Sequence, residues 1–215
     1  MPALPRFDQA ERLPINRERL ETRLRMLEPD DHALVELTAS FLAWQRQPVE
    51  RTDAEVIALY KKMSDIAADY HALMSMVEAR MYERTIMAAL RRRHRGMGVP
   101  AAGELWGVGA WVPHIERNWD QPDFKLAGIF PWIPEARRYL EDGATLEMER
   151  LLMTVVWNKV DRVPQKDPFD FDVILAYLFK WDILNRWLSY ERAAARTRFD
   201  ELVTEVMGER ERLFG

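Results

Sequence analysis

Cysteine is absent from the 215 residues. That excludes disulfides and thiolate metal sites, and it suits a reducing compartment. Glycine is scarce, at nine residues, so a glycine-rich phosphate loop has little to be built from, and no Gly-x-x-x-x-Gly-Lys-[Ser/Thr] run occurs. No apolar run approaches the ~20 residues of a membrane-spanning helix. The opening MPALPRFDQAERLP has no apolar signal-peptide core. A cytoplasmic protein is expected, with a peripheral place on a membrane complex left open. A basic excess is also missing: 31 Lys and Arg face 35 Asp and Glu, for a net charge of −4. A general nucleic-acid binder is therefore not expected. No stretch sustains the period-two alternation of a strand.

What is present favours helix. Hydrophobic residues make up 48% of the chain, with eight Trp and eleven Met. Low glycine with abundant Ala, Leu, Arg and Glu points to an all-α fold. Asn16 caps RERLETRLRML, and Pro29 ends it. Asp30 or Asp31 then opens a helix that Pro48 stops. TDAE, from Thr52 to Glu55, is a capping box. No Gly or Pro follows until Gly96, a span too long for one ordinary helix, so a break is expected near Ser64–Asp65 or at Asp69. Pro134 opens EARRYLED, which Gly143 stops, and Thr145 caps the next helix. Asp167–Pro168 opens DPFDFDVILAYLFKWDILNRW, and a last helix ends at Gly208. The stretch from Val173 to Phe179 is apolar on every side and calls for enclosure by the protein or by a partner.

The two halves resemble each other. At an offset of 117, Pro5, Phe7, Ala10 and Pro14 fall on Pro122, Phe124, Ala127 and Pro131. Asp53, Val56, Ile57, Tyr60, Asp65 and Ile66 fall on Asp170, Val173, Ile174, Tyr177, Asp182 and Ile183. Between these blocks, a segment ending at Trp44 matches one ending at Trp157 after a short gap. The pattern points to two duplicated helical units, 1–95 and 122–215, packed as one domain and joined by a Gly/Trp/Pro-rich linker, 96–121.

The search for chemistry is mostly negative. His32, His71, His94 and His114 are scattered, and no Glu-x-x-His pair exists for a di-iron bundle. Residues 96–101 match a loose dinucleotide fingerprint, but a basic helix precedes them and Pro100 interrupts the helix that should follow. Glu147 and Glu149 point to different helix faces and read as solvated. No catalytic, cofactor-binding or metal-ligating residue is assigned, and neither a cofactor nor a small-molecule substrate is expected. Arg91, Arg92, Arg93 and Arg95 form the one dense basic cluster. They complement a helix C-terminus, or they meet an acidic partner, a lipid headgroup or RNA. Trp106, Trp111 and Trp119 either plug the linker onto the core or anchor a partner. Asp182 and Asn185 share a helix face and, with Lys180 and Arg186, read as a polar junction between helices.

Three blocks carry a family resemblance: LPINRERLETRLRMLEPDDHALVELTASFLAW, PDFKLAGIFPWIPEARRYLEDGATLEMERLLMTVVWNKV and FDFDVILAYLFKWDILNRW. Together they resemble an uncharacterised bacterial family whose genes lie in operons for V/A-type ATPases. That family is distantly similar to the socket component of V/A-type ATPases, the one lettered C, or d in eukaryotes. The resemblance implies an all-α socket between central stalk and membrane ring, built from repeated units with an Asp-x-x-Asn signature on a helix. Asp182-Ile183-Leu184-Asn185 matches that signature. The socket component has three such units, and this chain has room for two. Members open with an aromatic, β-prone leader, which a chain starting MPALP is expected to lack. The implied function is a non-enzymatic subunit or assembly factor of a rotary ATPase, with stalk or ring subunits as partners. The alternative is a helical regulatory module that binds nucleic acid or another acidic partner through Arg91 to Arg95.

Overall fold

The computed structural model describes residues 1–42, 52–66, 70–162 and 171–214, and their side chains except those of 40–42, 71–72 and 193–214. Among the described residues there are eight α-helices, one 3-10 turn and no strand. The all-α expectation holds. The helices are α1 (Arg17–Leu24), α2 (Pro29–Leu42), α3 (Asp53–Ile66), α4 (His71–His94), α5 (Val112–Arg117), α6 (Ile133–Glu141), α7 (Thr145–Asp161) and α8 (Phe171–Phe214).

Local chemistry sets most of the boundaries. The Asn16 side chain accepts from the Arg19 N–H, so α1 starts where its cap is. The Thr52 hydroxyl accepts from the Glu55 N–H while the Glu55 carboxylate accepts from the Thr52 N–H, a complete capping box. At the end of α4, Gly96 takes φ +72°. Its N–H donates to Arg93 O, and the Met97 N–H donates to Arg92 O, which closes a Schellman turn. α3 ends at Ile66 and α4 starts at His71, so the long Gly-free span does break.

Three boundaries differ from expectation. α2 opens at Pro29 itself, since a proline costs nothing where the N–H has no helical partner. Thr145 lies inside α7, and its hydroxyl donates to Gly143 O instead of capping. α8 does not stop at Gly208 but runs on to Phe214, since a single glycine only weakens a helix. The Trp44 match, the Pro48 stop, the Asp69 break and the Asp167–Pro168 opening lie outside the described residues.

Three apolar clusters form the core, and each draws on both halves of the chain. The first joins Leu20, Leu24, Val35, Met63 and Leu73 to Val160, Leu175 and Trp181. The second joins Ile86 and Leu90 of α4 to Trp106, Ile115, Phe124, Ile133 and Leu152. The third seats Phe7 and Ala10 against Trp157, Leu184 and Trp187. α4 carries two clusters along its length, and α7 contributes to all three. The segment expected as a linker is part of this core: it contains α5 and buries Trp106, Val108, Ile115 and Trp119. Its glycines permit close packing. Gly109, at φ +95°, leaves only 2.6 Å between a would-be Cβ and the Tyr82 ring.

Candidate functional site

The stretch apolar on every side is only partly enclosed. Leu175 and Ala176 are buried, while Val173, Ile174, Tyr177, Leu178 and Phe179 stay half-buried. Beside them lies a groove of about 330 Å³. α1 contributes Leu20 and Leu24 to it, α2 contributes Val35 and Thr38, and α4 contributes Arg80. α8 forms the opposite wall with Leu175, Leu178, Phe179, Asp182 and Asn185. The volume lies at the lower end of the ~300–1,000 Å³ typical of small-molecule sites.

Two buried polar residues line it, Thr38 and Arg80, and Arg80 is paired with a third, Glu83. Arg80 is 8% exposed, and its guanidinium donates to Glu83 at 2.8 Å. Glu83 is 2% exposed, and its second carboxylate oxygen finds no hydrogen-bond partner among the described residues. Burial raises the Glu83 pKa above its ordinary value, and the Arg80 charge and hydrogen bond only partly offset that. Thr38 is 3% exposed, and its hydroxyl likewise has no partner among the described residues.

Two residues of the expected polar junction, Asp182 and Asn185, line this groove. The other two reach α7: Lys180 donates to Asp161, and Arg186 donates to Glu149 at 2.8 Å and to the Tyr190 hydroxyl. Glu149 is thus ion-paired between helices instead of solvated, a partner 37 residues away that spacing alone did not reveal.

The basic cluster is divided. Arg92 holds Glu104 through both terminal nitrogens, at 2.5 and 3.1 Å. Arg93 donates to Gln121 O and lies 5.0 Å over the Phe124 ring. Together with His114, whose ring nitrogen meets Phe124 O at 3.0 Å, it pins the turn where Phe124 and Lys125 take positive φ. Arg91 and Arg95 are exposed. The tryptophans turn inward. Trp106 and Trp119 are buried edge-to-face on each other, and the Trp106 indole N–H donates to Glu116 at 2.9 Å. Trp111 is half-buried against Tyr82 and Phe130. These three side chains therefore offer a partner little surface.

Sequence spacing missed Thr38, Arg80 and Glu83. A signal was present: Arg80 interrupts the apolar face formed by Leu73, Met76, Val77 and Met87, and Thr38 follows Leu34 and Val35 on theirs. A charge on such a face has to find a buried partner.

No group of three or more His, Cys, Asp or Glu among the described residues could hold a metal. No helix among them is long and apolar enough to cross a membrane. Fold and groove together define an all-α protein organised around one long helix and an amphipathic groove. Residues 14–210 match the model of a family described as a protein of unknown function, DUF2764, and the chain belongs to that family. No curated protein and no solved structure matches it.

Proposed function

We propose that the protein is a non-enzymatic subunit or assembly factor of a V/A-type rotary ATPase, acting as a helical socket between the central stalk and the membrane ring. The observation that supports this most directly is the setting of Asp182-Ile183-Leu184-Asn185. Ile183 and Leu184 are buried in the third cluster, which fixes α8, while Asp182 and Asn185 line the groove. A signature so placed couples a rigid core to a surface that a partner can read.

The element order supports the duplication behind this reading. Shifted by 117, α1 falls on 134–141, where α6 spans Ile133–Glu141. α3 falls on 170–183, where α8 begins, and α4 falls on 188–211, still within α8. In the second unit, the counterparts of α3 and α4 are continuous. A helix of this kind, with its sides sewn to α7 by ion pairs, resists twist between its ends. That is what a coupling socket requires.

Binding of nucleic acid or another acidic partner through Arg91 to Arg95 has less support, since Arg92 and Arg93 already hold Glu104 and the Gln121 carbonyl. The deciding experiment is affinity purification of the tagged protein from solubilised membranes of its native host, followed by mass spectrometry. Stoichiometric recovery of rotary ATPase subunits is expected. Their absence, with the ATPase itself intact in the same extract, rejects a stable-subunit role.

A further inference from the structure

α4 ends in a loop that stands clear of the body. From His94 to Leu105 every residue except Pro100 is exposed. A Cβ added at Gly96, Gly98 or Gly103 would meet no atom within 4 Å. The loop shows water three large aliphatic side chains, Met97 at 45%, Val99 at 51% and Leu105 at 58% exposure. Single exposed aliphatics are ordinary, but a group of them on one protruding segment marks an interaction surface.

Positive charge lies beside them. Arg91 and Arg95 are exposed, one helical turn apart, and neither forms an ion pair among the described residues. Arg91 is the last and smallest of the charges acting on buried Glu83. Neither arginine is needed to close α4, because the N–H groups of Arg95, Gly96 and Met97 already meet the carbonyls of Arg91, Arg93 and Arg92. The only carboxylate between 91 and 105, Glu104, is held by Arg92 and accepts from the Ala101 N–H.

Uncompensated cations next to aliphatic side chains match the two layers of an anionic bilayer surface, phosphate above and hydrocarbon below. Single-stranded RNA calls for aromatic faces to stack on, and the nearby Trp106 and Trp119 are buried. An acidic protein surface would suit the arginines but not the aliphatic side chains.

We propose that the end of α4 and the loop 94–105 dock on an anionic lipid bilayer. Arg91 and Arg95 meet headgroup phosphates, while Met97, Val99 and Leu105 enter the boundary between headgroups and acyl chains. This surface belongs to the chain alone and does not rest on the rotary ATPase reading.

The test sediments the full chain with vesicles of phosphatidylcholine, and with vesicles of equimolar phosphatidylcholine and phosphatidylglycerol. Binding to the anionic vesicles should exceed that to the neutral ones about thirty-fold, each arginine contributing about five-fold. Arg91→Gln with Arg95→Gln should remove most of that preference. Val99→Asp should weaken binding at least about five-fold by placing a like charge at the lipid surface. All three positions are exposed, so thermal melts should match the parent. The chain has no cysteine, so Val99→Cys can carry a single polarity-sensitive dye. Its emission should shift to the blue on anionic vesicles. The same dye at Met26→Cys, exposed in the turn after α1 beside the cluster at the other end of α4, should not shift. No binding to anionic vesicles, binding indifferent to the variants, or no blue shift at residue 99 overturns the proposal. So does binding of polyuridylate or polyglutamate by a chain that ignores vesicles, which assigns the arginines to another partner.

Discussion

Replacing Arg80 with Met should turn the buried ion pair into a pH-dependent defect. The pair is formed at 2.8 Å by side chains only 9% and 2% exposed. Met keeps the apolar stem of Arg80 in place, so the change chiefly removes the charge opposite Glu83. Breaking a buried pair in this way costs about 3–5 kcal/mol. Protonation of Glu83 limits that cost. Its ordinary pKa of 4.5 lies about 2.5 pH units below neutrality, which caps the ionisation penalty near 3.4 kcal/mol at pH 7 and about 0.7 kcal/mol at pH 5. The sign follows from the direction of the shift. Burial holds the folded-state pKa above the unfolded one, so the Glu83 contribution is fully present below the unfolded value and is lost as pH rises through the folded value. Removing Arg80, which lowers the Glu83 pKa, extends that loss to higher pH. Urea unfolding followed by circular dichroism should therefore show Arg80→Met less stable than the parent by at most about 3 kcal/mol at pH 7, since Glu83 in the parent already carries part of the penalty, and by under about 1 kcal/mol at pH 5. Adding Glu83→Met should bring stability back to within about 1 kcal/mol, because a well-packed apolar pair replaces a buried ionic one at little cost. An equal loss at both pH values, or no recovery in the double variant, would refute the reasoning.

Phe7 is fully buried, with ring centroids 5.6 Å from both Trp157 and Trp187. Phe7→Ala should cost about 4 kcal/mol in the same unfolding assay, and a loss below about 1 kcal/mol would mean that the N-terminal turn does not hold the third cluster together. Asn16→Ala and Thr52→Ala each remove a cap and should cost about 1 kcal/mol apiece; unchanged midpoints would show that neither cap limits stability. Gly109→Ala combines positive φ with a 2.6 Å approach to Tyr82, whereas Gly103→Ala combines positive φ with open space. Thermal melts should place Gly109→Ala lower by about 1–3 kcal/mol, and equal melts would reject the steric account.

Much of this was legible because local chemistry carried it. Asn16 and the Thr52–Glu55 box mark helix starts in any context, since a cap needs only the N–H groups beside it. Gly96 closes α4 because its φ is positive and glycine pays no steric penalty there. The groove was less legible. Asp182 and Asn185 could be paired on one face from their spacing, but the space in front of them is made by α1 and α2, more than a hundred residues away in sequence.

The sequence by itself determined that the chain is helical, where most of its helices begin, and that a cluster such as Arg91 to Arg95 would sit at a helix end. These follow from period, capping and backbone sterics, which act over a few residues. Only the tertiary structure decided that the Trp-rich segment is core, that Arg92 and Arg93 are occupied, that Glu149 meets Arg186, and that Arg80 and Glu83 form a buried pair. Those facts depend on which faces meet once the three clusters form. Apolar burial is non-directional and carries no address in the local sequence.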